Sequence, residues 1–329
     1  VTGYIEKPTL DDKVSMGIGT FAHFGLGVEW PSSWEGRFTP GANKAVLKTT
    51  SVSPVIALKP FERFSIGFGP YIQYFDIELN NHVLIGAPTA MPLGADKNLP
   101  QTAEVKLTAK DWDWGWQAGI QAKITDTLTF GAAYLSEVRH KMTDGTQNLR
   151  SSVNGATILR QGFSSTFTLP ALLRLGLAWR QGPWTVEADA RRTEWSSYKV
   201  LRADFANGTY QENSKAWHNA WMWSMGAQYR VNKYLDLRAG VFYDVTPIPA
   251  ATLDPLVPSG DRTGYCGGMG LHFRHISFDF GYNYIKDQGR RWNNTSGDVK
   301  LGPATLTRVT GKFEKAYAHV LSINVTSRF

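Results

Sequence analysis

The 329 residues include a single cysteine, Cys266, which excludes an internal disulfide and any cluster of thiolate metal ligands. No run approaches the roughly 18 consecutive apolar residues that a membrane-crossing helix requires. A chain of this kind can span a bilayer only as a closed barrel, which satisfies every backbone group internally. Catalytic signatures are missing as well: there is no G-x-S-x-G, no H-E-x-x-H and no glycine-rich phosphate loop. His140, His218, His272 and His319 lie scattered with no obvious nucleophile beside them, so neither enzyme activity, nor a metal, nor a cofactor is expected. There is no linker or low-complexity tract, and residues 1–329 read as one domain. A charged segment followed by an apolar one is absent at Val1, so any export signal has been removed or left off.

What is present is strand periodicity. In 276–285 one face holds Ile276, Phe278, Phe280, Tyr282 and Tyr284, and the other Ser277, Asp279, Gly281 and Asn283. In 111–124 one face holds Trp112, Trp114, Trp116, Ala118, Ile120, Ala122 and Ile124 against Asp111, Asp113, Gly115, Gln117, Gly119, Gln121 and Lys123. Side chains alternate across a strand, so each segment offers one face to hydrocarbon and one to a polar or narrow interior. The clustered indoles suit a membrane interface. The chain closes on Leu321-Ser322-Ile323-Asn324-Val325-Thr326-Ser327-Arg328-Phe329, a strand that resembles the assembly signal of bacterial outer-membrane barrels and implies recognition of Phe329 by the barrel-assembly machinery.

About twelve strands are predicted, near 13–24, 46–58, 63–80, 105–124, 128–142, 163–180, 184–204, 212–230, 234–246, 262–273, 276–288 and 312–329. Tight links at 59–62, 125–127, 181–183, 231–233 and 274–275 alternate with longer polar segments at 25–45, 81–104, 143–162, 205–211, 247–261 and 289–311. That asymmetry predicts an all-β, antiparallel transmembrane β-barrel of the outer membrane, with short turns and both termini in the periplasm and long loops outside. The net charge of +7 is spread over loops and interior faces without a basic cluster. Nucleic acid is therefore not an expected partner, whereas anionic lipid and lipopolysaccharide are.

Local sequences add a family likeness. Asp113-Trp114-Gly115-Trp116-Gln117-Ala118-Gly119-Ile120, followed by Ala133-Tyr134-Leu135-Ser136-Glu137-Val138-Arg139, resembles paired strands of the FadL-type outer-membrane transporters of Gram-negative bacteria. The likeness continues in Phe24-Gly25-Leu26-Gly27-Val28-Glu29-Trp30, Trp34-Glu35-Gly36-Arg37-Phe38, Leu169-Pro170, Glu194-Trp195-Ser196-Ser197-Tyr198 and Tyr243-Asp244-Val245-Thr246-Pro247-Ile248-Pro249. These matches span nearly the whole chain in the family's order. The resemblance implies passive uptake of fatty acids or of aromatic and aliphatic hydrocarbons through a lateral opening in the wall. A general diffusion porin, or less favourably a lipid hydrolase, is the alternative. Family members carry an N-terminal plug and fourteen strands. Only about a dozen residues here precede the match to the third strand, so the plug and two strands are expected to be absent from this chain. The preferred explanation is a longer native protein; a twelve-stranded barrel, or a second polypeptide filling the gap, would also account for it.

By the resemblance, Phe24, Gly25, Leu26 and Gly27 form the kinked strand at a lateral gate, where two glycines permit a bend. Asp244 is expected near that gate. Arg202 stands where the family has a lysine thought to meet a fatty-acid carboxylate, and Asn81 replaces a second cation. One arginine can hold a carboxylate through two parallel hydrogen bonds. Tyr71, Phe75, Leu135, Leu172, Met222 and Phe242 are expected to line the lumen and make it apolar, as a hydrophobic ligand requires.

Overall fold

The computed structural model describes residues 3–9, 13–39, 41–85, 101–301, 304–314 and 316–327. In chain order its strands begin with β1 (Gly3–Thr9), β2 (Val14–Phe21), β3 (Gly25–Glu29), β4 (Lys44–Phe61), β5 (Phe64–Ile85) and β6 (Gln101–Lys123). Next come β7 (Leu128–Leu135), β8 (Val138–Ser151), β9 (Thr157–Leu169), β10 (Leu172–Gln181), β11 (Trp184–Thr193), β12 (Val200–Phe205), β13 (Tyr210–Ser214) and β14 (Ala220–Arg230). The wall ends with β15 (Leu235–Asp244), β16 (Arg262–His272), β17 (Ile276–Asp287) and β22 (Tyr317–Ser327). Between the last two lie the short strands β18 (Arg290–Trp292), β19 (Asp298–Leu301), β20 (Ala304–Arg308) and β21 (Gly311–Phe313).

Neighbouring passes are antiparallel and the ladder runs without crossover from β1 to β22. Among the described residues β1 pairs only with β2, and β22 only with β17. The alternation seen in the sequence becomes two surfaces. In β15, Leu237, Val241 and Tyr243 are exposed on the outside, at 47%, 49% and 39%, while Asp236 on the inner face is 2% exposed. Ile72, Trp112, Trp114, Tyr265, Leu321 and Ile323 extend the same apolar exterior. An exposed apolar surface this continuous belongs against lipid.

The inner face near the tight turns is polar and paired. Asp236 accepts from Gln228 Nε2 at 2.9 Å and lies 2.8 Å from His272 Nε2, and Arg238 donates to Asp279 at 2.7 Å and to Gln228 at 2.8 Å. A one-residue slip would move Asp236 and Arg238 into hydrocarbon, which is why the register is strongly specified here.

Three expectations change. A strand before residue 13 was not anticipated, yet β1 pairs with β2 from Gly3↔Thr20 to Thr9↔Val14. The segment 143–162, expected as a long loop, is mostly the β8–β9 hairpin, which turns at Gly155 with φ +71°. Its residues Thr146, Gln147, Asn148 and Arg150 are polar on both faces, so the period-two signal that marks a half-buried strand vanishes there. The region 289–311 likewise folds into two small ladders, β18–β21 and β19–β20. Residues 86–100 of the predicted 81–104 loop, and Phe329, lie outside the described residues.

Candidate functional site

The wall is interrupted between β2 and β3. Both strands pair with β4, but the register passes from Phe21↔Ser51 to Gly25↔Lys48, so Ala22, His23 and Phe24 stand opposite only Thr49 and Thr50. This is a bulge of one extra residue. It exchanges the faces: odd-numbered Phe21 points inward before it, and even-numbered Leu26 after it. The backbone groups freed at Phe24 are taken up by Thr49, whose hydroxyl donates to the Phe24 carbonyl at 2.6 Å and accepts from the Phe24 amide at 3.3 Å. The glycines are not what bends the strand. Neither Gly25 nor Gly27 has positive φ, a Cβ on Gly27 would meet nothing within 4 Å, and one on Gly25 would make only ordinary contact at 3.8 Å.

On the other side of the lumen four successive passes break at one level. β7 gives way to β8 at 136–137, β9 to β10 at 170–171, β11 to β12 at 194–199 and β13 to β14 at 215–219. The register places these breaks side by side, Leu135↔Leu172, Leu172↔Thr193 and Thr193↔Ala220. Pro170 has no amide to donate, and Ser136 uses its side chain in place of a ladder bond, accepting from Trp116 N at 2.9 Å. The interruptions let loop residues enter the lumen.

A cavity of about 280 Å³ occupies that level, bordered by the bulge, the breaks and the 245–261 segment. Its rings form a connected set: Phe24 packs edge-on against Trp195 at 5.7 Å, Trp195 against Trp217 at 4.8 Å, and Trp217 against Tyr198 at 5.0 Å. Ile248, Leu256 and Val257 close the top. The covering segment is held by an ion pair between Lys215 and Asp254, both almost fully buried, and by Trp30 Nε1 donating to Pro255 O at 3.0 Å. Trp30 stacks on Trp34 at 4.9 Å, and Trp292 and Phe313 continue the aromatic cap.

The sequence-derived candidates separate into groups. Phe24, Gly25, Leu26, Leu172 and Asp244 border the cavity, and Gly27 does not. Tyr71, Leu135 and Leu172 form a buried cluster against Phe21 and Phe24 just beside it. Phe75 is buried, stacked on His140 at 4.6 Å and close to Phe167 at 5.3 Å. Met222 and Phe242 line the wider lumen, the Phe242 ring lying over Gly264.

Arg202 does not border this cavity and lies instead, with Asn81, at a smaller pocket of about 40 Å³. It projects from the exposed row of β12, while its neighbours Leu201 and Ala203 pack inward. Its guanidinium is occupied by Asp204, at 2.7 Å and 2.9 Å, with Glu212 at 3.4 Å and the Tyr210 ring at 4.3 Å. The strand's own alternation turns it away from the cavity. Asn81 is buried and donates to His82 O at 3.1 Å. The cations that do border the cavity are Arg174, Arg191 and Arg262, with His23 beside them. No sequence motif marks them. An arginine on the polar face of a barrel strand looks like any other until the register shows what stands opposite.

Comparison with known proteins gives one consistent result. The family described as "Outer membrane protein transport protein (OMPP1/FadL/TodX)" matches residues 2–329. The chain is 27% identical to "Outer membrane protein P1" of Haemophilus influenzae over 351 residues, covering 97% of this chain and 73% of that protein. It is 23% identical to the "Long-chain fatty acid transport protein" of Escherichia coli K12 over 320 residues, covering 86% and 70%. A crystal structure of a Pseudomonas aeruginosa FadL homologue superposes with a TM-score of 0.86 at 23% identity, covering 99% of this chain and 77% of the other. The Pseudomonas putida toluene transporter TodX superposes at 0.67 with 18% identity, covering 98% and 80%. These last two likenesses bear on the fold.

Proposed function

Because the chain belongs to the OMPP1/FadL/TodX family of outer membrane transport proteins, we propose that it carries hydrophobic small molecules, fatty acids or hydrocarbons, passively across the outer membrane. Residues 1–329 act as one barrel domain, with both termini and the tight turns in the periplasm, lipopolysaccharide against the outer rim and Phe329 read by the assembly machinery. The protein is not an enzyme.

The observation that carries this reading is the ring-lined cavity beside the bulge in the wall. At about 280 Å³ it exceeds the roughly 150 Å³ of an engineered cavity known to admit benzene. Its connected aromatic and aliphatic side chains offer an apolar surface for a hydrophobic ligand, with Arg174, Arg191, Arg262 and Asp244 as the charged groups on its border. Phe24 and Leu26 sit where the cavity meets the interrupted strand, which supports a lateral exit there, and Asp244 borders the same cavity from the end of β15. Leaving sideways into lipid spares an apolar ligand about 25 cal/mol per Å² of surface exposed to water.

Uptake of radiolabelled oleate and toluene by cells whose own outer-membrane carriers are deleted, with and without this protein, tests the proposal. Faster uptake of either ligand supports it. Unchanged uptake, together with high ion conductance in planar bilayers, would replace it with a general diffusion porin.

A further inference from the structure

The outside of the wall carries cations that passage through the lumen does not use. On β6 the outward row Trp116, Trp114 and Trp112 ends at Lys110, which is exposed, while the neighbouring Ala109 is buried on the inner face. On β8, Val138, His140 and Met142 are buried inside, so Arg139 and Lys141 project outward. The Lys141 amide donates to Asp111 Oδ2 at 3.1 Å, which brings the two strands to one level. On β9, Thr168 stands opposite Arg139 and Thr166 opposite Lys141, both on the outward row because Phe167 and Leu169 pack inside.

Below that level the surface is apolar. Trp112 and Trp114 are exposed, Trp116 packs on Tyr134 at 5.3 Å, and Leu173 stands opposite Tyr134. Above it the cations lack counter-charges: among the described residues the side chains of Lys110, Arg139 and Lys141 enter no ion pair or hydrogen bond. Asp76, opposite Lys110 in register, and Glu137 and Asp144, which flank the β8 pair, form no ion pair with them. Farther along the same rim, Lys44 and Lys106 share Glu78 at 3.1 Å and 3.2 Å. Unpaired cations directly above an apolar, indole-rich belt stand where lipid headgroups lie.

We propose that Lys110, Arg139 and Lys141 bind a phosphate of an outer-leaflet glycolipid of the lipopolysaccharide class, with Thr166 and Thr168 donating to it and its acyl chains lying over Trp114, Tyr134 and Leu173. Phosphate oxygens accept charge-assisted hydrogen bonds from the guanidinium fork and from ammonium groups. The indoles cover the boundary between chain and headgroup, where a ring with one polar N–H is at home. The lipid supplies the counter-charge that the protein does not. Lys110 and the Arg139–Lys141 pair come from different strands, so the sequence shows only diffuse charge where the fold makes a cluster. This inference rests on the reading that sets lipopolysaccharide against the outer rim, and it names the residues that hold it there.

The test titrates the full chain in neutral detergent with bisphosphorylated lipid A, with dephosphorylated lipid A and with phosphatidylglycerol, read by native mass spectrometry. Bisphosphorylated lipid A should bind at least about tenfold more tightly than either of the others. Lys110→Gln/Arg139→Gln/Lys141→Gln should abolish that preference while the barrel stays folded by heat-dependent gel mobility, and Lys44→Gln should retain it. If the triple variant fails to fold, Arg139→Gln and Lys141→Gln are read singly in the same way. A folded variant that keeps the preference would overturn the patch and leave lipopolysaccharide bound elsewhere on the rim. Phosphatidylglycerol binding as tightly as lipid A would overturn glycolipid recognition. If the parent protein binds neither form of lipid A, the patch and the rim reading fall together, and uptake of oleate or toluene still decides the transport reading separately.

Discussion

Thr49 fills the place in the ladder that Phe24 leaves open. One hydroxyl serves two backbone groups, accepting from the Phe24 amide and donating to its carbonyl. The bulge is therefore stabilised from the neighbouring strand. Thr49→Val keeps the shape and removes both bonds, leaving two part-buried backbone groups unsatisfied. It should destabilise the protein by about 1–3 kcal/mol and raise hydrogen exchange at Phe24 above that at Val52, as thermal melting and exchange measurements would show. Unchanged exchange at Phe24 would mean the bulge does not depend on this residue.

Two glycines should respond in opposite ways. A Cβ at Gly264 would lie 2.0 Å from the Phe242 ring, which must then leave its position on the inner wall. Gly264→Ala should cost about 1–3 kcal/mol in melting experiments. Gly27→Ala meets open space and should change stability by less than about 0.5 kcal/mol, with ligand uptake unaltered.

The Lys215–Asp254 pair should fail asymmetrically. Lys215→Met strands a buried carboxylate, a loss of about 3–5 kcal/mol, whereas Lys215→Met with Asp254→Leu replaces charge by apolar volume and should recover most of it. Because the pair ties the covering segment to the break between β13 and β14, the readout is protease cleavage within 247–261. The single variant should be cut much faster than the double. Equal rates would show that the pair does not anchor the cover.

Ala239 faces outward at the middle of β15. Ala239→Arg should lower the stability of the inserted barrel by about 2–4 kcal/mol, measured by denaturant titration in phospholipid vesicles. Ser224→Arg, whose side chain would enter the wide lumen bordered by Ser224, should insert normally. The reverse outcome would invert the assignment of faces.

The strands were legible because hydrocarbon on one side and a polar lumen on the other force strict alternation, as Leu237, Arg238, Ala239 and Gly240 illustrate. Legibility ended where that contrast ends. Toward their shared turn, β8 and β9 carry polar side chains on both faces, so Thr146 to Arg150 read as loop. The strand interruption overlaps the stretch that the family likeness singles out, but its form is a bulge, which depends on the register of two strands, and one strand's residues do not carry that information. Arg202 fitted a family position, yet the inward or outward sense of its side chain depends on where β12 restarts after the break at 194–199. Arg174 and Arg191 were missed for the same reason, since their opposition exists only once β10 and β11 are paired.

The aligned breaks also divide the wall mechanically. Among the described residues β4, β5 and β6 run through that level unbroken, while β8, β9, β12 and β13 are joined above it and β7, β10, β11 and β14 below it, with β8 and β7 both paired to β6. A deformation of the upper strands is thus carried to the lower ones through side-chain packing around the cavity, with few backbone bonds to transmit it. One sector of the cylinder is stiff and the opposite sector is jointed. Thermal motion should concentrate at the joint, and the contents of the cavity then act as its filler: an occupied chamber couples the two tiers, and an empty one lets them flex independently.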